Sequence, residues 1–137
     1  MAKRILVIDD DDGVRETFSC VLEDSGYQVS AACDGQSGLD SAAAAAPDLV
    51  FLDLKMPGLN GVETLRRLAQ ICPHTPVYIV TGFYNEFLGP LRTLKDSGIS
   101  FDVARKPLAL TEIKAIADSV LAPSVTSRTI SMSGATP

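Results

Sequence analysis

The sequence predicts a doubly wound α/β domain of the (βα)5 type, with a five-stranded parallel sheet in the order 2-1-3-4-5. Short runs rich in Val, Ile and Leu alternate along the chain with longer segments of helical periodicity. The central run, Leu49-Val50-Phe51-Leu52, is apolar throughout, which is typical of a strand buried on both faces. Right-handed crossovers between parallel strands then place helices on both sides of the sheet.

Turn residues and apolar spacing predict the boundaries of these elements. The predicted strands cover residues 4–8, 27–32, 48–53, 77–80 and 101–105. A helix follows each strand, and the first is capped by Asp11 or Asp12 and stopped by Gly26. The second covers 36–46, the third carries its apolar stripe over 62–72, and the fifth covers 111–121. The fourth is expected to begin near Pro90, after a loop or separate turn over 83–89, because proline is tolerated only in a first helical turn.

Composition and charge predict a cytoplasmic domain with a core of ordinary size. The chain has 137 residues, 46% of them hydrophobic, and no apolar run approaches the roughly 18 residues that a membrane helix needs. Its amino terminus does not resemble a signal peptide. A net charge of −5 argues against nucleic acid as a direct partner. The three cysteines, Cys20, Cys33 and Cys72, are far apart and odd in number, so we expect reduced thiols.

Polar side chains stand at the ends of four predicted strands. Asp9 and Asp10 follow the first, Asp53 ends the third, Thr81 ends the fourth, and Lys106 follows the fifth. The carboxyl ends of parallel strands share one edge of the sheet, where ligands bind in open α/β folds. Three clustered carboxylates repel one another, so the cluster favours a bound cation, and an all-oxygen site suits Mg²⁺. A carboxylate can accept a phosphoryl group, and a hydroxyl and an ammonium can hold its oxygens.

These residues carry a resemblance to a known family. The matching segments are Ile5-Leu6-Val7-Ile8-Asp9-Asp10 with Arg15 downstream, Asp53-Leu54-Lys55-Met56-Pro57-Gly58-Leu59-Asn60-Gly61, Val80-Thr81-Gly82 and Lys106-Pro107. Over residues 3–121 the chain resembles the receiver domain of two-component response regulators, of the chemotaxis-regulator type, whose fold is flavodoxin-like. The resemblance implies that residues 1–122 form the receiver domain. Residues 123–137 are rich in Ser and Thr and have almost no periodicity, which predicts a flexible tail or linker.

The resemblance also implies the chemistry of the site. Asp53 would accept a phosphoryl group from a phosphohistidine of a histidine kinase or of a histidine phosphotransfer protein. Thr81 and Lys106 would contact that group, and the Lys106–Pro107 peptide bond would be cis. Mg²⁺, which Mn²⁺ can replace, would be held by Asp9 through water, by Asp10, by Asp53 and by the main-chain carbonyl of Lys55.

The resemblance further implies a signalling role in place of an enzymatic one. The domain would promote only its own phosphorylation and slow dephosphorylation. It would act on a downstream protein partner through the fourth helix, the fifth strand and the fifth helix, and a phosphorylation-dependent homodimer is a further expected partner. Neither direct nucleic-acid binding nor membrane insertion is expected.

The chain departs from the family pattern in the region that reports phosphorylation. Receivers usually carry an aromatic residue three positions before the lysine, where this chain has Val103. The segment between Thr81 and Lys106 is also a few residues longer than usual. We therefore expect Phe83, Tyr84 or Phe101 to replace the missing aromatic, or the switch to differ. Phe83 stands two residues past Thr81, where it should hinder attack by water and slow the loss of the phosphoryl group.

Two other functions fit part of the pattern. A pseudo-receiver, a binding module of the same fold that is never phosphorylated, is compatible with Val103. A haloacid-dehalogenase-like phosphatase would use Asp10 and Asp12, because Asp10-Asp11-Asp12-Gly13-Val14 resembles the start of that family's nucleophile motif. That second function gives Asp53 no role, and it requires an acidic motif after Lys106 that the sequence lacks.

Overall fold

Five parallel strands and five α-helices alternate along the chain in the computed structural model, which describes residues 2–56 and 58–121. The strands are β1 Arg4–Ile8, β2 Gln28–Ala32, β3 Leu49–Leu52, β4 Val77–Thr81 and β5 Asp102–Arg105. The helices are α1 Asp12–Asp24, α2 Gly35–Ala44, α3 Gly61–Ile71, α4 Leu88–Asp96 and α5 Leu110–Leu121. The strand order is β2-β1-β3-β4-β5, which confirms the predicted doubly wound topology.

Two apolar clusters lie on opposite faces of the sheet, because successive strand residues point to opposite sides. On one face, α2, α3 and α4 pack against the sheet through residues that include Leu39, Leu65 and Leu91. On the other face, α1 and α5 pack through residues that include Phe18 and Ile113. Every residue of β3 is buried, as the apolar run 49–52 predicts.

The predicted boundaries differ from the observed ones by only one or two residues, and the fourth helix begins two residues before Pro90. A 3₁₀-helix covers Tyr84–Phe87, and α4 begins directly after it at Leu88, two residues before Pro90. Proline lacks an N–H, and the first N–H groups of a helix have no intrahelical partner. Pro90 therefore fits within the first turn, as predicted, and of the two alternatives for 83–89 the structure has the separate turn, the 3₁₀-helix.

Three loops at the carboxyl edge of the sheet, those before α1, α2 and α3, end in side chains that cap the next helix. Asp11 accepts a hydrogen bond from the Val14 N–H at 3.0 Å, so Asp11 rather than Asp12 caps α1. Asp34 caps α2 by accepting from Ser37, and Asn60 caps α3 by accepting from Glu63. These bonds fix the point at which each loop turns from the sheet edge into a helix.

Other predictions concern the cysteines, membrane segments and the end of the chain. Cys20, Cys33 and Cys72 are free thiols. No helix within residues 2–56 and 58–121 has the length and apolar character needed to span a bilayer. The predicted tail, 123–137, lies outside the described residues, as does Pro57 of the Met56-Pro57 turn.

Candidate functional site

Asp9 and Asp53 are held at the same level at the carboxyl edge of the sheet. Each directly follows a strand, and the backbone hydrogen-bond ladder extends to both of them. The Asp9 N–H donates to the Ala32 carbonyl at 3.1 Å, and the Asp53 N–H donates to the Ile8 carbonyl at 2.9 Å. These bonds fix the backbone from which the two carboxylates project.

Three carboxylates converge at this edge. Asp9, Asp10 and Asp53 each offer an oxygen, and these oxygens lie within 4.8 Å of one another. Asp9 and Asp53 are only 3% and 6% exposed, whereas Asp10 is exposed. Burial, and secondly the Asp9 charge, raise the pKa of Asp53 to about 6, although Lys106 and the Lys55 N–H oppose the shift. Asp53 is therefore a buried acid that is ionised at neutral pH and unusually basic.

Lys106 supplies positive charge to the carboxylate cluster. Its Nζ lies 2.7 Å from Asp9 Oδ2 and 3.8 Å from Asp53 Oδ1. The Lys106 N–H donates to the Thr81 carbonyl at 2.9 Å, which fixes the start of the side chain beside β4. A single ammonium does not balance three carboxylates, so the cluster has room for further positive charge.

The loop between β1 and α1 is organised around Asp9. The Asp11 N–H donates to Asp9 Oδ1 at 3.0 Å, and Lys106 donates to Asp9 Oδ2. Arg15 Nη1 donates to the Asp9 carbonyl at 2.8 Å, and the same guanidinium pairs with Asp12. Both carboxylate oxygens of Asp9 thus already hold protein partners. Asp12, the second acid of the phosphatase pattern, is paired with Arg15 and does not belong to the carboxylate cluster.

Thr81 is completely buried at the end of β4, next to Lys106 along the sheet edge. Its Oγ1 accepts a hydrogen bond from the Phe83 N–H at 2.9 Å. A cleft of about 370 Å³ opens beside it and is lined in part by Phe83 and Lys106. A hydroxyl that accepts one hydrogen bond can still donate its own hydrogen to a ligand.

The carboxylate cluster has the donor chemistry of a magnesium site. Its donors are all oxygens and come from few side chains, and Mg²⁺ prefers oxygen ligands while keeping several waters. A metal ion in this cluster would offset the repulsion among the three carboxylates.

Gly61 allows α3 to pack directly on the backbone that carries Asp53. A Cβ at this position would lie 2.4 Å from Leu54 Cα and 2.5 Å from the Asp53 carbonyl oxygen. No side chain larger than hydrogen fits without moving that backbone. The sequence places Gly61 at the end of the matching segment 53–61, but no role was predicted for it. Its position at the start of a helix, directly after a turn, could have indicated close packing.

The four predicted switch residues other than Thr81 do not all line the same space. Phe83 is 44% exposed, and the Lys55 ammonium lies 4.1 Å from its ring centroid. Lys55 also pairs with Glu86 at 3.7 Å, a contact that sequence reasoning missed. Tyr84, Phe101 and Val103 are partly buried against the apolar cluster on the α4 face. The Lys106–Pro107 peptide is cis, as the resemblance implies.

This chain belongs to the response regulator receiver domain family. The family model matches residues 5–118, which include all four strand ends that carry the polar side chains. The family comprises signalling proteins of two-component systems and not classical enzymes.

Relatives of the chain have a similar receiver segment in proteins of different length. Sporulation initiation phosphotransferase F of Bacillus subtilis is 37% identical over 114 residues, which cover 83% of this chain and 90% of that protein. Response regulator MprA of Mycolicibacterium vanbaalenii is 38% identical over 115 residues, which cover 84% of this chain but only 48% of that protein. The chain thus spans about half the length of MprA.

Solved structures share the fold. Chemotaxis protein CheY4 of Vibrio cholerae superposes with a TM-score of 0.76 at 26% identity, covering 88% of this chain and 100% of that one. A CheY-like receiver domain protein of Methanospirillum hungatei gives a TM-score of 0.78 at 26% identity, covering 88% of this chain and 94% of that one.

Proposed function

We propose that this chain is a phosphoacceptor in a two-component pathway and that Asp53 receives the phosphoryl group. The observation that carries the proposal is the cluster of Asp9, Asp10 and Asp53, whose oxygens lie within 4.8 Å of one another beside Lys106 and Thr81. A structural role alone would not require three acids at one point of the sheet edge, because their mutual repulsion destabilises the fold.

In the proposed reaction, a carboxylate oxygen of Asp53 attacks the phosphorus of a phosphohistidine. The new O–P bond forms as the N–P bond breaks, and the imidazole leaves with the bonding electron pair, so that Asp53 becomes an acyl phosphate. Asp53 must be ionised to attack. Its raised pKa of about 6 still lies below neutral pH, so the carboxylate is mostly ionised there. Burial of the carboxylate leaves it poorly solvated and therefore more nucleophilic than an exposed aspartate.

Two further side chains would hold the transferred group. The Lys106 ammonium, which lies 3.8 Å from Asp53 Oδ1, would pair with one phosphoryl oxygen. The Thr81 hydroxyl would donate its hydrogen to another phosphoryl oxygen while still accepting from the Phe83 N–H. Charge neutralisation and positioning dominate catalysis of phosphoryl transfer, so these contacts should strengthen as the group arrives.

The metal would be Mg²⁺, or Mn²⁺ in its place. Asp10, Asp53 and the main-chain carbonyl of Lys55 would bind it directly. Asp9 would act through water, because both of its carboxylate oxygens already accept hydrogen bonds from the protein. When bound, the ion would neutralise charge on the carboxylates and on the phosphoryl oxygens.

The proposed donor is a histidine kinase or a histidine phosphotransfer protein in the cytoplasm. The proposed output is a protein partner that binds α4, β5 and α5, with homodimerisation on phosphorylation as a second form of output. The support for this output is the position of α4 and β5: α4 follows the 3₁₀-helix after Thr81, and β5 ends directly before Lys106.

A phosphodonor assay tests the proposal and separates it from both alternatives. The wild-type chain and Asp53→Asn are incubated with acetyl phosphate or phosphoramidate, with Mg²⁺ or with EDTA, and measured by intact mass. We expect one added phosphoryl group on the wild type, with Mg²⁺ only, and none on Asp53→Asn. No addition to either chain would indicate a pseudo-receiver. Retention of the label by Asp53→Asn and its loss from Asp10→Asn would indicate the phosphatase.

A further inference from the structure

A groove lies between α4 and β5, and the small side chain of Val103 is among the residues that line it. Val103 pairs with Ile79 in the sheet and is only partly buried. The groove has a volume of about 490 Å³ and is lined by residues that include Tyr84, Leu91, Phe101 and Val103. A side chain in this groove contacts both α4 and β5, which belong to the proposed output surface. An aromatic residue that transmits the phosphorylation state of Asp53 to that surface must therefore reach the groove.

The three aromatic candidates differ in which of two spaces they border. Among the described residues, Phe83 lines the cleft beside Thr81 but not the groove. Phe101 lines the groove but not the cleft, and its ring lies 5.3 Å from the Lys95 ammonium of α4. Tyr84 lines both spaces. It is therefore the aromatic that connects the end of β4 with the α4–β5 surface.

The backbone links Tyr84 to Thr81 at one side and to α4 at the other. The Thr81 hydroxyl accepts the N–H of Phe83, the residue just before Tyr84. Tyr84 opens the 3₁₀-helix Tyr84–Phe87, which continues into α4 at Leu88 without a break. A displacement of the Thr81 hydroxyl would therefore move the start of this helical segment.

Arg105 links the same ring to β5. Its guanidinium carbon lies 5.0 Å from the centroid of the Tyr84 ring, within the range of a cation–π contact. Arg105 is the register partner of Thr81 and directly precedes Lys106. The Tyr84–Arg105 pair thus joins the two strand ends that would hold the phosphoryl group.

We infer that Tyr84, held by Arg105, replaces the aromatic residue that is absent at Val103. Tyr84 is a positioning residue: it couples the contact between Thr81 and the phosphoryl group to the shape of the α4–β5 groove. This inference rests on the proposed function of Asp53. We expect phosphorylation itself not to require Tyr84, since Asp9, Asp10, Asp53 and Lys106 supply the acceptor and the charges around it.

The test compares amide NMR shifts before and after addition of beryllofluoride with Mg²⁺, which mimics the acyl phosphate. The variants are Tyr84→Ala, Tyr84→Phe and Arg105→Gln, with Phe101→Ala as the matched control from the same groove.

In the wild type we expect shifts near the site, at Leu54 and Gly82, and in the groove, at Leu91 and Val103. In Tyr84→Ala the groove shifts should fall severalfold while the site shifts remain. Tyr84→Phe and Phe101→Ala should keep both the site shifts and the groove shifts. Arg105→Gln should keep the site shifts and lose part of the groove shifts.

Each outcome bears on one claim. Wild-type groove shifts in Tyr84→Ala, or their loss in Phe101→Ala alone, would overturn the role of Tyr84. Because Arg105 is exposed, Arg105→Gln should fold even if Tyr84→Ala does not. In that case, unchanged groove shifts in Arg105→Gln would overturn the role of the Tyr84–Arg105 pair. Absence of site shifts in the wild type would instead contradict the proposed function of Asp53, so the two failures are distinguishable.

Discussion

Asp53 combines burial with two neighbouring acids, and this combination determines how the site responds to pH. Burial and the charge of Asp9 raise its pKa to about 6 in the metal-free protein. Protons therefore compete with a metal ion for this carboxylate below about pH 6. We expect the affinity for Mg²⁺, measured by isothermal titration calorimetry, to be constant between pH 7 and 8 and to fall as the pH drops through 6. A constant affinity down to pH 5 would contradict the raised pKa.

The same pKa predicts a change in stability. Its folded value of about 6 exceeds the ordinary value of 3.8, so the folded chain binds more protons between these values, and stability falls as the pH rises through 6. Asp53→Asn removes this penalty. In EDTA at pH 7 we expect its free energy of unfolding to increase by about 1 kcal/mol, after allowance for solvent screening.

Urea unfolding at pH 4 and pH 7 measures this effect of Asp53→Asn. The gain should be largest at pH 7 and should shrink at pH 4, where Asp53 is mostly protonated in the fold. Glu16→Gln, which removes an exposed acid from α1, is the control and should show no such pattern. A loss of stability in Asp53→Asn at pH 7 would show that the carboxylate is stabilised by its neighbours.

Phe83 lies beside the site, where we expect it to shield the proposed acyl phosphate from water. Its ring is held by the Lys55 ammonium at 4.1 Å and lines the cleft at Thr81. Phe83→Ala should shorten the lifetime of the phosphorylated protein severalfold, because water gains access to the phosphorus. The measurement follows loss of the phosphoryl group after removal of the donor. Leu88→Ala, a truncation of another exposed apolar residue that lines only the groove, should leave the lifetime unchanged. Equal lifetimes for Phe83→Ala and the wild type would exclude shielding.

At the scale of elements, the junction between β3 and α3 sets the geometry of the carboxylate cluster. A Cβ at Gly61 would meet the backbone of Leu54 and Asp53 at 2.4 and 2.5 Å. Gly61→Ala should therefore lower stability by about 1–3 kcal/mol and weaken Mg²⁺ binding, because the backbone at Asp53 must move. Thermal unfolding and calorimetric Mg²⁺ titration measure the two effects.

Gly89→Ala is the matched control for Gly61→Ala. Gly89 lies in the first turn of α4, and a Cβ there meets nothing within 4 Å. We expect its stability to stay within about 0.5 kcal/mol of the wild type, with unchanged Mg²⁺ affinity. If Gly61→Ala behaved in the same way, the close packing of α3 on this loop would not control the site.

Elements differ in how well local sequence predicts them. β1, β3 and β4 followed from apolar runs and turn residues, since these strands are mostly buried. Their order followed from the alternation of strands and helices, which is typical of the doubly wound fold. The exact first residue of α4 could not be predicted from the sequence. Pro90 indicates the first turn of a helix but does not show at which position of that turn it lies. The 3₁₀-helix at Tyr84–Phe87 depends on packing of Tyr84 and Phe87 against the core, which local patterns do not encode.

At the scale of the whole molecule, topology accounts for what the sequence could predict of the site. Parallel strands bring Asp9, Asp53, Thr81 and Lys106 to one edge wherever their side chains point. The partner of Lys106 depends on distances that topology leaves open, and its ammonium lies closer to Asp9 than to Asp53. The aromatic that borders both the Thr81 cleft and the groove is also a property of tertiary packing.

The central claim concerns which acid carries the phosphoryl group, and chemical trapping tests it most directly. The wild-type chain is phosphorylated with acetyl phosphate and Mg²⁺ and then reduced with borohydride, which converts an aspartyl phosphate into homoserine. Peptide mass mapping then locates the converted residue. We predict homoserine at position 53, with positions 9, 10 and 12 unchanged. Conversion at position 10, or at no position in a chain that is folded and binds Mg²⁺, would contradict the assignment of Asp53 as the phosphoacceptor.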